Sequence, residues 1–315
     1  MNADKRLKEI RIDLIDRNPE NPRIVFRQEE MDSLLISIQK FGVQVPISVY
    51  KEGSKFILID GERRWRTCQK LNFDTIPAII QEKPDPLDNL LLMFNIHALR
   101  EQWDLFTISH KITRIIELLR DRLGRDPNEL ELSKETGLTR GVIRRCNLLI
   151  RLPERFKEMI LNELHKPKSK QNFTEDFFIE METNLKTVKN SFPDLVENLD
   201  DIRDVLIKKY ESGVITNIID FRMLAKLARS PKNVSYSEDE ARRALEDIFS
   251  DNRVDIGSVY KSTVGDLYDE KKLISNFSNV QYYIENLTPG EIRDQDIRSA
   301  LVELRTTIDK ILTTK

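Results

Sequence analysis

Two hydrophobic patterns alternate in the first third of the chain. Polar and apolar residues alternate at positions 9–15, which is typical of a strand with one buried face. Three runs rich in β-branched residues, each bounded by Gly, Pro or Asp, occupy residues 45–50, 55–59 and 75–80. Residues 29–41, where apolar side chains recur every three or four positions, and residues 62–71 are both predicted to be helices. The pattern therefore predicts a small α/β domain over residues 1–85.

Helical periodicity replaces the strand signals from residue 86 onward. Five helical segments are predicted, at residues 87–99, 105–123, 127–136, 139–150 and 154–164. The basic, proline-containing segment 166–170 has no apolar periodicity and is predicted to be a linker. These features place an all-helical domain at residues 86–168 and a separate region at residues 171–315. The predicted fold class is α+β.

The acidic remainder of the chain shows shorter helical patterns. They lie at residues 215–228, 238–249 and 295–312, with turn-rich sequence at 230–236. In the last helix, apolar residues follow alternating steps of four and three: Ile297, Leu301, Leu304, Ile308 and Ile311. Such a seam can pair with a second copy, but two heptads are fewer than a persuasive coiled coil needs. Packing of this helix on its own domain is therefore the favoured interpretation.

Composition narrows the class of protein. Hydrophobic residues make up 39% and charged residues 33% of the 315 residues, which excludes collagen-like and wholly disordered chains. No apolar run approaches the roughly 20 residues that span a bilayer, and residues 1–10 lack the apolar stretch of a signal peptide. The two cysteines and three histidines show no metal-ligand spacing. We expect a cytoplasmic protein without a zinc site, a disulfide framework or a membrane partner.

Residues 129–150 have the layout of a helix-turn-helix within a basic region, because residues 132–170 hold ten basic and four acidic side chains. Gly137 can adopt the positive φ of a turn, and the hydroxyl of Thr139 can cap the second helix. The face away from the first helix then presents arginines to base edges and phosphates. The candidate DNA-binding residues are Thr139, Arg140, Arg144 and Arg145. The alternative is a helical hairpin whose basic face is merely solvated.

A glycine turn at residues 60–66 (DGERRWR) lies between a predicted strand and a predicted helix. Such a turn lets the backbone approach a phosphate, and Arg63, Arg64 and Arg66 supply charged donors. The motif lacks the lysine of a P-loop, so an ordinary strand-to-helix turn with solvated arginines explains the spacing equally well.

Five motifs follow one another along the chain: NPENPR (18–23), GVQVP (42–46), GERRWR (61–66), the helix-turn-helix and RLPE (151–154). In this order they resemble the ParB family of DNA-partition proteins over about half the chain, from roughly residue 9 to residue 160. The resemblance implies a ParB/sulfiredoxin-like domain that binds CTP or another nucleoside triphosphate, followed by a helical domain that binds double-stranded DNA. CTP closes the dimers of this family into a clamp that slides along DNA.

The resemblance also implies residues and partners. The nucleobase and ribose side would be lined by Gly42, Gln44 and Pro46. The triphosphate cradle would be formed by Gly61, Glu62, Arg63, Arg64 and Arg66. A homodimer, a ParA-like ATPase partner and a cytoplasmic, nucleoid- or plasmid-associated role in plasmid or chromosome partition follow from the same resemblance.

One departure from the family concerns the metal. A Glu-Asn pair, followed three residues on by Arg, helps the family hold the triphosphate and Mg²⁺; here the pair is Phe94-Asn95 and the Arg position is Ala98. Asn95 can carry over as a nucleotide and metal contact, and Arg100 is a substitute for the missing Arg on charge alone. Because Mg²⁺ favours carboxylate oxygens, the missing Glu weakens the case for Mg²⁺ binding with the nucleotide, and we expect at most a weak CTPase.

Two other functions remain compatible with the sequence. The first is an enzyme that uses the same pocket for phosphoryl transfer or nucleic-acid cleavage, although no separate carboxylate cluster for two-metal cleavage is present. The second is a helix-turn-helix transcriptional regulator whose nucleotide pocket is vestigial. A sulfiredoxin activity is disfavoured, because Cys68 lies beyond the loop where that chemistry needs its nucleophile.

Overall fold

The structure, a computed structural model, describes residues 6–18, 26, 28–94 and 103–313. The chain divides into two compact units, Met1–Lys186 and Thr187–Lys315. The predicted class is confirmed, since a small mixed sheet is followed by helices through the rest of the described chain.

A five-stranded mixed sheet of order β1-β5-β3-β4-β2 opens the first unit. Its strands are β1 (Arg6–Arg11), β2 (Ile15–Asp16), β3 (Ile47–Glu52), β4 (Lys55–Asp60) and β5 (Thr75–Gln81). The central strand β3 is antiparallel to β4 and parallel to β5, with Ile47 opposite Ala78. Helices α1 (Gln28–Phe41) and α2 (Glu62–Lys70) complete this domain and pack against each other.

The single strand predicted at residues 9–15 is wrong, because a 3-10 turn at Ile12–Leu14 divides it into β1 and β2. Ile10, Ile12 and Ile15 are all buried in one cluster. Successive side chains of a strand alternate between faces, so a continuous strand would place Ile15 opposite the other two. The turn restores Ile15 to the core.

The described residues of the first unit that follow the sheet are mostly helical. Its helices are α3 (Pro86–Met93), α4 (Leu105–Leu123), α5 (Glu129–Thr136), α6 (Arg140–Ile150), α7 (Glu154–Leu164) and the start of α8 (Glu175–Ser191). One buried cluster joins α3, α4, α5 and α6, with Ile112, Ile115, Ile143 and Cys146 fully enclosed. Packing of amphipathic faces against this shared core holds the short helices in place.

The predicted linker at residues 166–170 does not coincide with the division between the compact units. Residues Lys168–Lys170 form a 3-10 turn, and buried phenylalanines follow it. The rings of Phe173 and Phe177 lie 5.0 Å apart, and Phe178 packs at 6.5 Å from Phe156 of α7. This aromatic burial attaches the start of α8 to the first unit.

The second unit contains seven further helices in its described part. They are α9 (Leu199–Glu211), α10 (Phe221–Asn233), α11 (Glu238–Ser250), α12 (Ile256–Tyr260), α13 (Asp266–Glu285), α14 (Pro289–Arg293) and α15 (Gln295–Thr313). Helix α10 continues through the start of the segment that was predicted to be turn-rich, residues 230–236. The ammonium of buried Lys209 donates to the carbonyl oxygens of Asp251 (2.7 Å) and Val254 (2.5 Å), tying α9 to the turn after α11.

The expectation that the last helix packs on its own domain is met only at the start of its seam, where Ile297 and Leu301 are half-buried and α15 contacts α14. No residue of α15 is buried, and Leu304, Ile308 and Ile311 of its apolar seam are exposed. Helix α13 likewise has no buried residue. Among the described residues, no helix combines the length and apolarity that crossing a bilayer requires.

Candidate functional site

The junction of β4 and α2 is built around Gly61. Its φ is +99°, in the left-handed region that side chains disfavour. A Cβ at this position would lie 2.6 Å from Ile47 Cγ2, so the close approach of the two strands' ends also requires glycine. Helix α2 therefore starts directly at a tight turn, with no capping side chain at Gly61 to cover its amide end. This geometry suits the approach of a phosphate.

Arg64 joins this junction to the loop that precedes β3. Its guanidinium donates to the carbonyl oxygens of Val45 (2.6 Å) and Pro46 (2.7 Å) and to Asp60 Oδ2 (2.9 Å). The same side chain was predicted to bind a triphosphate. In this structure its donors are used to hold the predicted base side and the predicted phosphate side of the site together.

The other two arginines of the predicted cradle are also paired. Arg63 donates to the carbonyl oxygen of Glu30 (3.0 Å) and lies 3.5 Å from its carboxylate. Arg66 pairs with Glu62 (2.7 Å from Nε to Oε1) and stacks at 4.3 Å over the ring of Phe26. Glu62 is buried, and its carboxylate faces the guanidinium of Arg66.

The predicted base-side residues lie on the loop between α1 and β3. Gly42 ends α1 with a φ of +69°, the side-chain Nε2 of Gln44 donates to the carbonyl oxygen of Phe41, and Pro46 directly precedes β3. Arg64 brings this loop to the β4–α2 junction. The sequence interpretation missed Asp60, whose spacing of four from Arg64 was a signal for the ion pair, and Glu30, for which no local signal exists.

Phe94, at the position where the resemblance implies a glutamate, is fully buried and packs edge-to-face against Trp103 with ring centroids 5.3 Å apart. Its role is therefore core packing rather than ligation. Asn95, Ala98, Arg100 and residues 19–23 of the NPENPR motif lie outside the described residues. Within the described ranges, no group of three or more His, Cys, Asp or Glu side chains is arranged to hold a metal.

Both cysteines are structural. Burial raises the pKa of Cys68 to about 11 and that of Cys146 to about 12. Both thiols have zero exposure and stay protonated at neutral pH, and a protonated thiol is a poor nucleophile. This finding agrees with the expectation that Cys68 does not support sulfiredoxin chemistry.

Helices α5 and α6 form the predicted helix pair. Gly137 has a φ of +73° and its amide donates to the carbonyl oxygen of Ser133 (3.0 Å), which ends α5. The hydroxyl of Thr139 accepts from the amide of Val142 (3.3 Å), as expected for an N-cap. The buried face of α6 carries Ile143 together with Cys146 and Leu149. The opposite face carries the arginines.

Each arginine on the exposed face of α6 has a carboxylate partner. Glu129 Oε2 lies 3.0 Å from Arg144 Nε and 3.7 Å from Arg140 Nε. Arg145 pairs with Asp176 of α8. Side chains in these pairs are 36–58% exposed, so water screens the pairs and each contributes about 0–1 kcal/mol. Sequence interpretation missed both carboxylates.

The sequence of this chain is similar to those of known proteins. A profile of the ParB N-terminal domain matches residues 1–94. The probable chromosome-partitioning protein ParB of Campylobacter jejuni is 30% identical over 211 residues, which cover 61% of this chain and 76% of that protein. The nucleoid occlusion protein of Bacillus pumilus is 30% identical over 162 residues, which cover 50% of this chain and 53% of that protein. The chain therefore spans about half the length of the second relative.

A solved structure shares the fold. The pNOB8-like ParB N-domain aligns with a TM-score of 0.50 and 17% identity, covering 83% of this chain and 98% of that structure. The 30% identity to the Campylobacter jejuni protein, of which this chain covers 76%, confirms the resemblance inferred from the motifs, and the chain belongs to the ParB family.

Proposed function

We propose that this protein binds duplex DNA through α6, that CTP bound at the β4–α2 junction controls this binding, and that it acts in plasmid or chromosome partition. The observation that carries the proposal is the exposed row of Arg140, Arg144 and Arg145 opposite the buried face of α6. A ParA-like ATPase partner and a cytoplasmic, nucleoid- or plasmid-associated location belong to the same proposal.

The arginine row suits a helix that enters the major groove. Arg140 is the first residue of α6 and Arg144 lies one turn further, so both project near the helix start, where base contacts are normally made. Their ion pairs with Glu129 are exposed and weak, so turning the guanidinium groups toward a guanine edge has a small energetic cost. A merely solvated basic face would not need this agreement of turn, cap and charge.

Replacing Arg144 with alanine is expected to weaken DNA binding by about 1–3 kcal/mol if the side chain contacts a base. The target duplex is obtained by selection from a random library, and affinity is measured by fluorescence anisotropy at fixed salt. Arg253→Ala removes an equally charged, exposed side chain from the turn after α11, outside the proposed DNA and dimer surfaces, and serves as the control. Equal affinities of wild type and Arg144→Ala would place the DNA surface elsewhere.

The nucleotide part of the proposal rests on Gly61, the start of α2 and Arg64. A triphosphate at this junction would compete with Asp60 and with the two loop carbonyls for the guanidinium of Arg64. CTP is the nucleotide that the family resemblance implies. Hydrolysis would be slow at most, because buried Phe94 supplies no carboxylate for Mg²⁺.

The dimer in this proposal is formed by α13 and α15. In α13, Leu273, Phe277, Val280 and Ile284 follow steps of four, three and four, and all four are exposed. Together with Leu304, Ile308 and Ile311 of the α15 seam, they give two helix faces of coiled-coil spacing that are largely exposed in the described chain. Exposed apolar surface of this kind marks an interaction site, and identical seams can pair with each other.

A charged residue within the seam is expected to convert the dimer to a monomer. Ile308→Glu would place a carboxylate between apolar side chains, where an unpaired charge is costly. Light scattering coupled to gel filtration measures the mass. Thr306→Glu adds the same charge two positions earlier, outside the seam, and should leave the dimer intact. A monomeric wild type, or a dimeric Ile308→Glu, would contradict this interface.

A further inference from the structure

Glu129 occupies a distinctive position in the helix pair. It is the first residue of α5, and its carboxylate reaches across to α6, where it pairs with both Arg140 and Arg144. One negative charge thus restrains two of the three arginines of the proposed DNA surface. The two arginines are four positions apart, so they share one side of α6 and can meet the same carboxylate.

The fold does not need Glu129 to begin α5. The side-chain oxygen of Asn128 accepts hydrogen bonds from the backbone amides of Leu130 and Glu131. In return, the carboxylate of Glu131 accepts a hydrogen bond from the backbone amide of Asn128. The carboxylate of Glu131 is further held by Arg125, and its pKa is lowered to about 2, chiefly by that bond. The capping box is therefore complete without Glu129, whose carboxylate faces the arginines instead.

We propose that Glu129 is a specificity-determining residue, which keeps Arg140 and Arg144 in position for base contacts and penalises their use on phosphates of unrelated DNA. This inference rests on the proposed DNA-binding function of α6. The ligand of this surface is duplex DNA, and we assign to Glu129 the discrimination between target and non-target sequences.

The charge of Glu129 affects complexes with target DNA and with non-target DNA differently. On non-target DNA, the arginines gain free energy only from phosphates, and moving toward them leaves the carboxylate of Glu129 unpaired beside a polyanion. On the target, the arginines meet base edges while Glu129 remains beside them and fixes their orientation. The carboxylate therefore weakens non-specific binding more than specific binding, as a repulsive element does in other selective interfaces.

The test compares Glu129→Gln with wild type on two short duplexes, one obtained by selection and one of scrambled sequence. Glu129→Gln is expected to bind the scrambled duplex about three- to tenfold more tightly and the selected duplex with nearly unchanged affinity. The salt dependence on the scrambled duplex should also become steeper, by about 0.9 in logarithmic slope for each arginine released to a phosphate. A purely structural role would change neither the affinity ratio nor this slope.

Glu135→Gln is the matched control, because it removes the same charge from an exposed position of α5. Glu135 lies six residues after Glu129, roughly 240° around the helix. Its replacement should leave the ratio of the affinities for the two duplexes unchanged. If wild type discriminates between the duplexes and Glu129→Gln discriminates equally well, the inference about Glu129 is overturned while the proposed function stands. If wild type binds neither duplex, the proposed function itself fails.

Discussion

Alanine in place of Gly61 is expected to lower the free energy of unfolding of the first compact unit by about 2–5 kcal/mol. Part of this loss is the strain of a side chain at a φ of +99°, and part is the clash of the new Cβ, 2.6 Å from Ile47 Cγ2. Ile47 is fully buried in the central strand, so it has no space to retreat. Urea denaturation followed by tryptophan fluorescence measures the loss.

Gly53 provides the control for this substitution. It also has a positive φ, of +62°, but a Cβ there would meet nothing within 4 Å. Gly53→Ala should therefore cost only the backbone strain, about 1–2 kcal/mol. Equal losses at the two positions would show that the packing of Ile47 does not enforce glycine at Gly61.

Replacing Arg64 with alanine is expected to abolish stabilisation by CTP. In the wild type, CTP at 100 times its dissociation constant should raise the free energy of unfolding by about 2.7 kcal/mol. Arg64 is the side chain that touches both the loop before β3 and the β4–α2 junction, so its loss removes a phosphate donor and frees the loop. Thermal unfolding with and without CTP measures the difference for each variant.

A second variant separates binding from folding in that experiment. Arg64→Lys keeps the charge but not the forked donors, so it should retain a smaller CTP response. Arg11→Ala removes an exposed arginine of β1 that pairs with Asp13, and its CTP response should match wild type. A full response in Arg64→Ala would remove this residue from the nucleotide site.

Local signals predicted much of the fold. The periodicity at residues 29–41 and 105–123 matches α1 and α4 to within one residue at each end. Gly137 and Thr139 have the turn and cap geometry that their residue types predicted. These features depend on neighbours within about one helical turn, which sequence patterns report directly.

Contacts between residues far apart in the chain could not be predicted from the sequence. Asp176 meets Arg145 across 31 positions of the chain, and Glu30 meets Arg63 across 33. No periodicity encodes such pairs, because tertiary packing alone brings them together. The sequence analysis did not predict α13 at all. The exposure of the α15 seam was missed because an amphipathic pattern specifies an apolar face but not which surface covers it.

The most direct test of the account is calorimetric titration of the full chain with CTP in the presence of Mg²⁺, with ATP, GTP and UTP titrated in parallel. We expect a saturable heat with CTP that disappears in Arg64→Ala, because the proposal makes Arg64 a phosphate donor at the Gly61 turn. The absence of heat with all four nucleoside triphosphates would contradict the account and leave a DNA-binding protein without nucleotide control.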